Sequence, residues 1–381
     1  MEKVLQLGKF YPIKGGIEKV MYTFLEGLPD KGVSSDMLCA ECDGAGRVIN
    51  IDSGARVITC RTLIKLAGTT IAPGMVSKLR KIAKEYDIIH IHHPDPMAAL
   101  ALFLSGYKGK VVLHWHSDII RQKFFLTFYK WLQNWLIRRA DIVLGTTQVY
   151  LDTSEGINGI RFNPKTAVLP IGIEPLVRDV DGEARVLAKW PGKKIVFALG
   201  RLIPYKGFEY LVDAAKSLPD DYVVVIGGSG PLEEALKEQI KAAGLDGKVV
   251  LAGNIPESEK AAYFGACDIY CMSSITKNEA FGIVMIEAMS LGKPVIATKI
   301  PESGVSWVNA HGVSGINVEP RDGAAIAGSV VEICEDSVKY KAYADGAKNR
   351  FDETFTRDRM IESLVSIYDG LLRGDSSLRS E

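Results

Sequence analysis

The sequence of 381 residues lacks an apolar run long enough to cross a bilayer, and it shows no secretory signal. Its six cysteines lack the even spacing of a disulfide framework, and the pair Cys39 and Cys42 has no second CxxC pair to complete a zinc site. Internal repeats, low-complexity stretches and a recognised nucleic-acid-binding module are missing too. We therefore expect a cytoplasmic protein with reduced thiols that does not bind nucleic acid.

Hydrophobic residues make up 47% of the chain, which is enough for two sizeable cores. Strand-like and helix-like segments alternate through both halves, which is typical of α/β proteins with doubly wound parallel sheets. The predicted strands lie near residues 3–8, 36–40, 56–60, 87–92, 110–115, 141–145, 167–171, 195–199, 222–226, 248–252, 268–272, 294–298 and 315–318. We expect a first domain over 1–172, a second over 185–353, one more helix over 357–372 and a flexible tail over 374–381.

Charge is balanced over the whole chain but uneven along it. Residues 1–170 carry 22 Lys and Arg against 15 Asp and Glu, and residues 61–140 alone carry 13 against 4. The segments 61–84 and 119–139 hold most of these cations, and the second mixes them with six aromatic residues. Such a segment is typical of contact with a membrane surface, because each cation near an anionic surface contributes about 1 kcal/mol. A core helix with a basic edge explains the same pattern.

Two carboxylates, Glu279 and Glu287, flank the start of a segment that reads as a buried helix. Every residue over 283–289 except Glu287 is apolar, so this carboxylate needs a hydrogen-bond partner, and sugar hydroxyls are suitable donors. Phe281 and Gly282 lie at the helix start, where free backbone N–H groups favour a phosphate. The pattern indicates a nucleotide-sugar site, although a surface Glu and a core ion pair would give the same spacing.

Two cations, Arg201 and Lys206, follow the apolar run 195–199 and Gly200. The run predicts a buried parallel strand, and open parallel sheets bind ligands at the carboxyl ends of their strands. Each cation can stabilise a diphosphate by roughly 1.5–3 kcal/mol through a charge-assisted hydrogen bond. Taken alone, an Arg and a Lys in a loop are more often solvated surface residues.

Taken together, these motifs resemble those of the retaining glycosyltransferases with the GT-B fold and the E-x7-E signature. The residues that carry the resemblance are Gly15-Gly16, Trp115-His116-Ser117-Asp118, Gly200-Arg201, Lys206-Gly207, the turn 227–231, and Glu279 with Glu287. The resemblance implies two Rossmann-like domains facing across a cleft, with the acceptor on the first domain, the nucleotide sugar on the second, and the 357–372 helix returning to the first. The Trp-His-Ser-Asp-Ile form is similar to enzymes that build bacterial surface polysaccharides, lipopolysaccharide among them, often from mannose donors.

The resemblance also implies a role for each site residue. The catalytic set is His116, Arg201, Lys206 and Glu279, with His116 near the reactive carbon of the donor sugar and Glu279 on its hydroxyls. The donor-binding set is Gly15, Gly16, Asn254, Ile255, Ala280, Phe281, Gly282 and Glu287, with Glu287 on the ribose and the base near Asn254 and Ile255. His114, two residues before His116, is the rival candidate.

By the same resemblance, the reaction retains configuration through front-face attack, and it needs neither a metal nor a cofactor beyond the nucleotide sugar. GDP-mannose is the expected donor, and a lipid-linked or polysaccharide acceptor at the cytoplasmic face of the inner membrane is the expected partner. One departure is Pro170-Ile171-Gly172, where relatives usually have Pro-Asn-Gly. His90, His92 and His93 with Asp95 could instead be read as metal ligands.

Three other functions fit parts of the pattern. A dinucleotide-dependent oxidoreductase would explain two parallel sheets, but the G-x-G-x-x-G spacing after a strand is missing. A nucleotide-sugar epimerase or another GT-B enzyme would share the fold, and an inactive nucleotide-sugar-binding module would share the site.

Overall fold

The computed structural model describes residues 2–13, 15–42, 44–66, 69–118, 123–160 and 164–374, with side chains for all of these except 66, 69 and 123–128. The predicted flexible tail therefore lies outside the described residues from 375 onward. The chain divides into two compact units, which we call unit 1 and unit 2. Unit 1 comprises the residues up to Gly172 together with those from Arg357 onward, and unit 2 comprises Ile173–Thr356.

The first element of unit 1 is strand β1, which begins at Lys3. Its strands are β1 (Lys3–Tyr11), β2 (Ser34–Glu41), β3 (Val48–Asn50), β4 (Arg56–Arg61), β5 (Ile64–Leu66), β6 (Thr69–Ile71), β7 (Ile88–His93), β8 (Lys110–Trp115), β9 (Ile142–Gly145) and β10 (Thr166–Val168). Its first helices are α1 (Gly16–Gly27), α2 (Gly74–Ile82), α3 (Pro96–Ser105), α4 (Lys123–Arg139), α5 (Gln148–Thr153) and α6 (Glu155–Asn158).

The main sheet of unit 1 has the strand order β10-β9-β8-β7-β1-β2-β4-β3, in which β3 alone pairs antiparallel. Its central strands are buried, as expected where helices cover both faces of a parallel sheet, and β7 carries three buried histidines among its six residues. Strand order reverses between β1 and β7, so the carboxyl ends of these two strands form the switch point at which such sheets bind ligands.

Unit 2 has six strands in the order β13-β12-β11-β14-β15-β16, which is the order of a Rossmann sheet. Its strands are β11 (Lys194–Leu199), β12 (Tyr222–Gly227), β13 (Val249–Gly253), β14 (Ile269–Met272), β15 (Val295–Thr298) and β16 (Gly315–Val318). Its helices are α7 (Val180–Leu187), α8 (Phe208–Ala215), α9 (Glu233–Ala242), α10 (Lys260–Ala266), α11 (Ile283–Ser290), α12 (Val305–Val308), α13 (Gly323–Cys334) and α14 (Ser337–Arg350), followed by a π-helical turn (Phe351–Phe355). The switch point of this sheet lies between β11 and β14.

The predicted start of the second domain at residue 185 is too late, because it falls inside helix α7. The Asp179 carboxylate caps this helix by accepting a hydrogen bond from the Gly182 amide at 2.9 Å. Helix α7 packs on α10 so closely that a Cβ atom at Gly182 would lie 2.6 Å from that of Ala262. The polar residues that suggested a linker therefore form the solvent-facing side of helix α7, which packs on α10.

The last helix, α15 (Arg357–Arg373), packs on α1 within unit 1. It buries Met360, Ile361, Leu364, Ile367, Tyr368 and Leu371. A Cβ atom at Gly27 of α1 would lie 2.8 Å from Ile361, so the small residue permits this close approach. Among the helices of the described residues, none is long and apolar enough to span a membrane.

Candidate active site

Lys206 and Glu279 meet at the switch point of unit 2, and Arg201 follows β11 at the same end of the sheet. Backbone and hydroxyl contacts tie the loop after β11 to the loop after β14: Ile275 donates its amide to the Tyr205 carbonyl at 2.8 Å, and Ser273 donates its hydroxyl to the Lys206 carbonyl at 2.9 Å. Gly207 permits this contact, because it has φ = +64° and a Cβ atom there would lie 2.2 Å from the Ser273 carbonyl oxygen.

Lys206 and Glu279 form an ion pair in this place, 73 residues apart in the chain. Lys206 Nζ lies 2.5 Å from Glu279 Oε2, and the Ser274 hydroxyl donates to the same oxygen at 3.1 Å. Both charged side chains are 12% exposed. The pair is thus largely desolvated but open to a ligand, and a diphosphate could replace Glu279 as the partner of Lys206.

Arg201 differs from Lys206 in that its side chain is exposed. Within the described part of the chain, no hydrogen bond or ion pair of its guanidinium is found, and its backbone carbonyl accepts from Ile203 at 2.8 Å. A guanidinium presents a planar fork of donors that matches phosphate geometry. Arg201 is therefore available for an anion without first losing a partner.

Helix α11 begins next to the ion pair with an uncapped end. Gly282 is its N-cap with φ = +86°, and no side chain of the described residues caps it. Phe281 is 3% exposed and packs edge-on against Phe355 at 5.9 Å, while the Ala280 carbonyl accepts from Gly304 at 3.0 Å. The amides of residues 281–284 have no acceptor among the residues described. Such an end favours an anion through its free N–H groups and the helix dipole.

Glu287 lies one turn into α11 and is 7% exposed. Lys260 of α10 lies 3.3 Å from its Oε1 and 3.1 Å from Glu257 Oε2. Burial opposes the charge on Lys260, yet Glu287 and Glu257 together raise the pKa of its ammonium above the usual value. Glu287 therefore takes part in a buried ion pair with Lys260, which was the alternative to a sugar-binding role for this carboxylate. The sequence pattern gave no indication of Lys260.

The predicted base-binding residues follow β13. Asn254 is exposed, and Ile255 is buried against Gly227, where a Cβ atom would lie 2.5 Å from the Ile255 side chain. The Gly228 amide donates to the Gly253 carbonyl at 2.6 Å, so the ends of β12 and β13 stay joined at this point. Ile255 therefore anchors the segment, whereas Asn254 is free to meet a ligand.

Gly15 and Gly16 lie at the start of helix α1 in unit 1, where Gly15 is the N-cap without a side-chain cap. The Glu18 carboxylate folds back toward them, since a Cβ atom at Gly15 would lie 2.5 Å from Glu18 Oε2. Burial raises the pKa of Glu18 above its usual value, against the effect of Lys9. A phosphate that bound this helix end would meet the carboxylate first.

Sequence reasoning missed Lys9, which lies in a bulge of β1 between Leu7 and Phe10. It has φ = +59°, and its ammonium donates to the Pro94 carbonyl at 2.5 Å. Its amide donates to the carboxylate of Asp95. Burial lowers the pKa of Lys9 and raises that of Asp95, so each charge depends on the other. The register of β1 with β2 shifts between Leu7 and Phe10, which a sequence pattern does not reveal.

His116 follows β8 and belongs to a buried row of imidazoles. His92 Nδ1 lies 2.9 Å from His116 Nε2, and His90 Nε2 lies 3.2 Å from His114 Nδ1. His90 Nδ1 in turn lies 2.6 Å from the hydroxyl of Tyr368 on α15. His114 is 1% exposed and His116 is 7% exposed, so of these two His116 has the better access to a ligand.

The metal-ligand alternative of His90, His92, His93 and Asp95 is wrong as a set. His93 stacks on Trp115 with ring centroids 3.6 Å apart, and Asp95 caps helix α3 by accepting from the Ala98 amide at 3.0 Å. A different group of imidazole nitrogens, from His90, His92 and His114, lies within 4.8 Å of one another. Both ring nitrogens of His90 and of His92 already take part in hydrogen bonds.

The other members of the Trp-His-Ser-Asp motif hold the loop after β8. The Trp115 indole donates to Asp118 Oδ1 at 3.0 Å, and the Ser154 hydroxyl donates to the same atom at 2.6 Å. The Asp118 amide donates to the Tyr150 hydroxyl oxygen at 2.9 Å. These contacts fix the loop that follows His116.

Two doubly wound sheets, one with an ion pair, an exposed Arg and an open helix end at its switch point, are typical of proteins that bind anionic ligands such as nucleotides. The family described as "Glycosyl transferases group 1" matches residues 180–350, and "Glycosyltransferase Family 4" matches residues 14–175. O-antigen chain mannosyltransferase C of Escherichia coli is 30% identical over 382 residues, covering 98% of this chain and 100% of the relative. D-rhamnosyltransferase WbpZ of Pseudomonas aeruginosa is 30% identical, covering 90% and 88%.

Solved structures share the fold. Sucrose-phosphate synthase from Thermosynechococcus elongatus gives a TM-score of 0.78 at 20% identity, covering 98% of this chain and 100% of that chain. Anabaena HepE in complex with UDP-glucose gives 0.75 at 22% identity, covering 97% and 100%. The chain belongs to the GT-B glycosyltransferases with group 1 and family 4-like domains, as its motifs predicted.

Proposed function

We propose that the protein transfers mannose from GDP-mannose, with retention of configuration, to a lipid-linked or polysaccharide acceptor in the synthesis of a surface glycan such as lipopolysaccharide. The observation that carries the proposal is the ion pair of Lys206 and Glu279 beside the open end of α11. The names of the relatives support the sugar and the pathway class, since one is an O-antigen mannosyltransferase.

The reaction needs stabilisation of the leaving group more than it needs a nucleophile. As the bond between the sugar's reactive carbon and the phosphate oxygen lengthens, negative charge collects on the diphosphate, and Lys206, Arg201 and the amides of 281–284 are placed to receive it. These cations also supply the charge for which many transferases use a metal ion, which supports a metal-independent reaction. Glu279, released from Lys206, orients the sugar through its hydroxyls.

Retention follows if the acceptor attacks from the face that the diphosphate leaves. The acceptor oxygen forms its bond to the reactive carbon, the bond to the phosphate oxygen breaks, and that oxygen takes the acceptor's proton. Within the described residues of unit 2, Glu279 and Glu287 each face a lysine, so neither is placed as a free nucleophile like those of retaining glycosidases.

A membrane-surface acceptor fits two features of unit 1. Trp131 on α4 is 55% exposed and packs edge-on with Phe103 of α3, which is 39% exposed, at 5.4 Å. Arg80 and Lys84 line an open cavity of about 570 Å³ on the same unit. Leu132 and Leu136 of α4 are buried, so the helix is also part of the core. We propose that this surface contacts the anionic cytoplasmic leaflet, with cations and aromatics sharing the attraction.

The test is a transfer assay by NMR with EDTA present. GDP-mannose, UDP-glucose and ADP-glucose are each supplied with a lipid-linked acceptor extract. The one-bond coupling between C1 and H1 of the transferred sugar gives the configuration of the new linkage. Transfer from GDP-mannose with the α configuration kept supports the proposal. Inversion, transfer only after metal addition, or epimerisation of the sugar without transfer contradicts it, and binding without any turnover identifies an inactive nucleotide-sugar module.

A further inference from the structure

Gln6, His92 and His116 form one hydrogen-bonded row in unit 1. His92 Nε2 lies 2.9 Å from Gln6 Oε1, and His92 Nδ1 lies 2.9 Å from His116 Nε2. Strand geometry sets up the row, since Gln6 on β1 pairs with His90 on β7 and alternate residues of a strand share a face. Gln6 and His92 are 0% exposed, so water does not compete for these bonds.

The orientation of the Gln6 amide fixes the direction of the row. Its Nε2 faces the Ser35 and Tyr368 hydroxyl oxygens at 3.5 Å each, to which an amide N–H donates. Its Oε1 faces His92 Nε2 at 2.9 Å, and a carbonyl oxygen accepts hydrogen bonds without donating any. His92 must then carry its proton on Nε2.

A neutral imidazole carries a proton on only one of its two ring nitrogens, so the proton position on His92 fixes the proton position on His116. With Nε2 of His92 protonated, its Nδ1 accepts, and the donor is Nε2 of His116. His116 then carries its proton on Nε2 and a lone pair on Nδ1. That nitrogen has no partner among the residues that the structure describes.

Both rings are neutral near pH 7, which the chain of single protons requires. Burial lowers the pKa of His92 and of His116 well below the usual value, and the neighbouring imidazoles lower it further. A charged His92 would donate from both nitrogens, and its Nδ1–H would then face the Nε2–H of His116.

We propose that Gln6 and His92 are positioning residues that hold His116 as the Nε2–H tautomer, so that its Nδ1 accepts a hydrogen bond from a hydroxyl of the donor sugar. The identity of the ligand rests on the proposed function, whereas the tautomer is a property of the protein alone. His116 in this form cannot donate to the sugar. It selects a hydroxyl at the contacted position over an oxygen or fluorine that only accepts.

The test is ¹⁵N NMR of the full chain labelled on histidine, without ligand, at pH 7.5. Long-range proton–nitrogen correlations distinguish protonated from unprotonated ring nitrogens, and His116→Asn assigns the signals. Gln6→Met removes the acceptor at the start of the row, and Gln6→Glu keeps one. Tyr86→Phe is the matched control, because it removes the hydroxyl bonds of a buried tyrosine in the same unit to Asp36 and Arg56, none of which involves the row.

We expect protonated Nε2 and unprotonated Nδ1 on His116 in the wild type, in Gln6→Glu and in Tyr86→Phe. Gln6→Met should show a mixture of tautomers and a fall of about tenfold in kcat/KM with GDP-mannose, and Tyr86→Phe should stay within about twofold. Protonated Nδ1 or an imidazolium in the wild type overturns the proposal, and so does an unchanged tautomer in Gln6→Met. The expected NMR result without turnover of GDP-mannose would reject the proposed donor but retain the positioning role.

Discussion

The switch points of the two units present opposite kinds of polar chemistry at the same place in a doubly wound sheet. In unit 1 the carboxyl end of β7 and the residues after β8 carry neutral imidazoles that bond one another and are almost fully buried. In unit 2 the loops after β11 and β14 carry Lys206, Glu279 and Arg201, which are charged and at least partly open to solvent.

The difference indicates a division of labour between orientation and charge. Neutral hydrogen bonds in a dry site fix geometry, since each donor and acceptor can be satisfied in one arrangement only. A cation that can exchange its carboxylate partner for a ligand stabilises the negative charge that grows on the ligand during the reaction. We therefore expect changes to the imidazoles of unit 1 to alter structure and selectivity, and changes to Lys206 and Arg201 of unit 2 to alter the rate of transfer.

A fall in pH should produce the largest difference in stability between the two units. His90, His92, His93, His114 and His116 are buried in unit 1, and burial lowers the pKa of His93 and of His114 to about 3. Each ring is neutral when folded but takes a proton near pH 6.5 when unfolded, so the unfolded state binds more protons and stability is lost as pH falls below 6.5. From pH 7 to 5, His93 and His114 each cost about 2 kcal/mol, and His90, His92 and His116 add to the loss in the same direction because burial lowers the pKa of each ring well below its usual value.

Hydrogen exchange measured by mass spectrometry at pH 7 and pH 5, corrected for intrinsic rates, checks this expectation. Amides of β7 and β8 should lose far more protection than those of β11 and β12. The single histidine of unit 2, His311, is exposed and serves as an internal control. Equal loss of protection in both sheets would contradict the contrast.

Lys206→Met should give the largest loss of activity. The variant removes the cation that faces the leaving group, so we expect kcat to fall about 10³-fold. It also leaves Glu279 without its partner at 12% exposure, which should lower the free energy of unfolding by about 2 kcal/mol. Steady-state kinetics and denaturant unfolding measure the two effects.

The matched control for this variant is Lys237→Met on α9, which removes an exposed ion-paired lysine of the same unit. Its rate and stability should stay near wild type. A Lys206 variant no worse than this control would show that charge at the β11 loop does not drive transfer.

Arg201→Gln should lower kcat by about 10²-fold without changing stability by more than about 0.5 kcal/mol. The reason is that its guanidinium is exposed and lacks a partner among the residues described, so the folded protein loses no contact. Kinetics and thermal unfolding of Lys206→Met and Arg201→Gln test whether Lys206 is held by an ion pair in the folded protein while Arg201 is not. Equal destabilisation by both changes would argue against that distinction.

Glu287→Gln should have the smallest effect of the unit 2 changes. We expect KM for the nucleotide sugar to rise about tenfold with kcat nearly unchanged, since the carboxylate is proposed to hold the ribose and not the reacting atoms. Glu332→Gln, which breaks an ion pair with Lys339 on the surface of the same unit, is the control. A drop in kcat instead of a rise in KM would place Glu287 nearer to the chemistry.

Much of the fold follows from local sequence, because long apolar runs mark parallel strands. Each predicted strand overlaps an observed one, but β3 and the hairpin of β5 and β6 are missing from the prediction. These strands are three residues long, so they offer no alternation or buried run to detect. The start of unit 2 was misplaced for a similar reason, since the short helix α7 has a polar outer face.

The site was predictable only where residues lie close in sequence. Motif resemblance named Lys206 and Glu279 but not their ion pair, which depends on two loops 73 residues apart. Lys260 and Lys9 carry no motif, and their roles depend on packing and on a bulge in β1. The partnership of Gln6 with His92 depends on the pairing of β1 with β7, which a single sequence does not encode locally.

The most direct test of the account is hydrogen exchange of the wild type and of Lys206→Met with saturating GDP and EDTA present. The account predicts that GDP protects residues 200–206 and the amides of 281–284 in the wild type, and that Lys206→Met loses this protection at the same concentration. Protection that lies elsewhere in the chain, or that is unchanged in the variant, would contradict the assignment of the diphosphate to the switch point of unit 2.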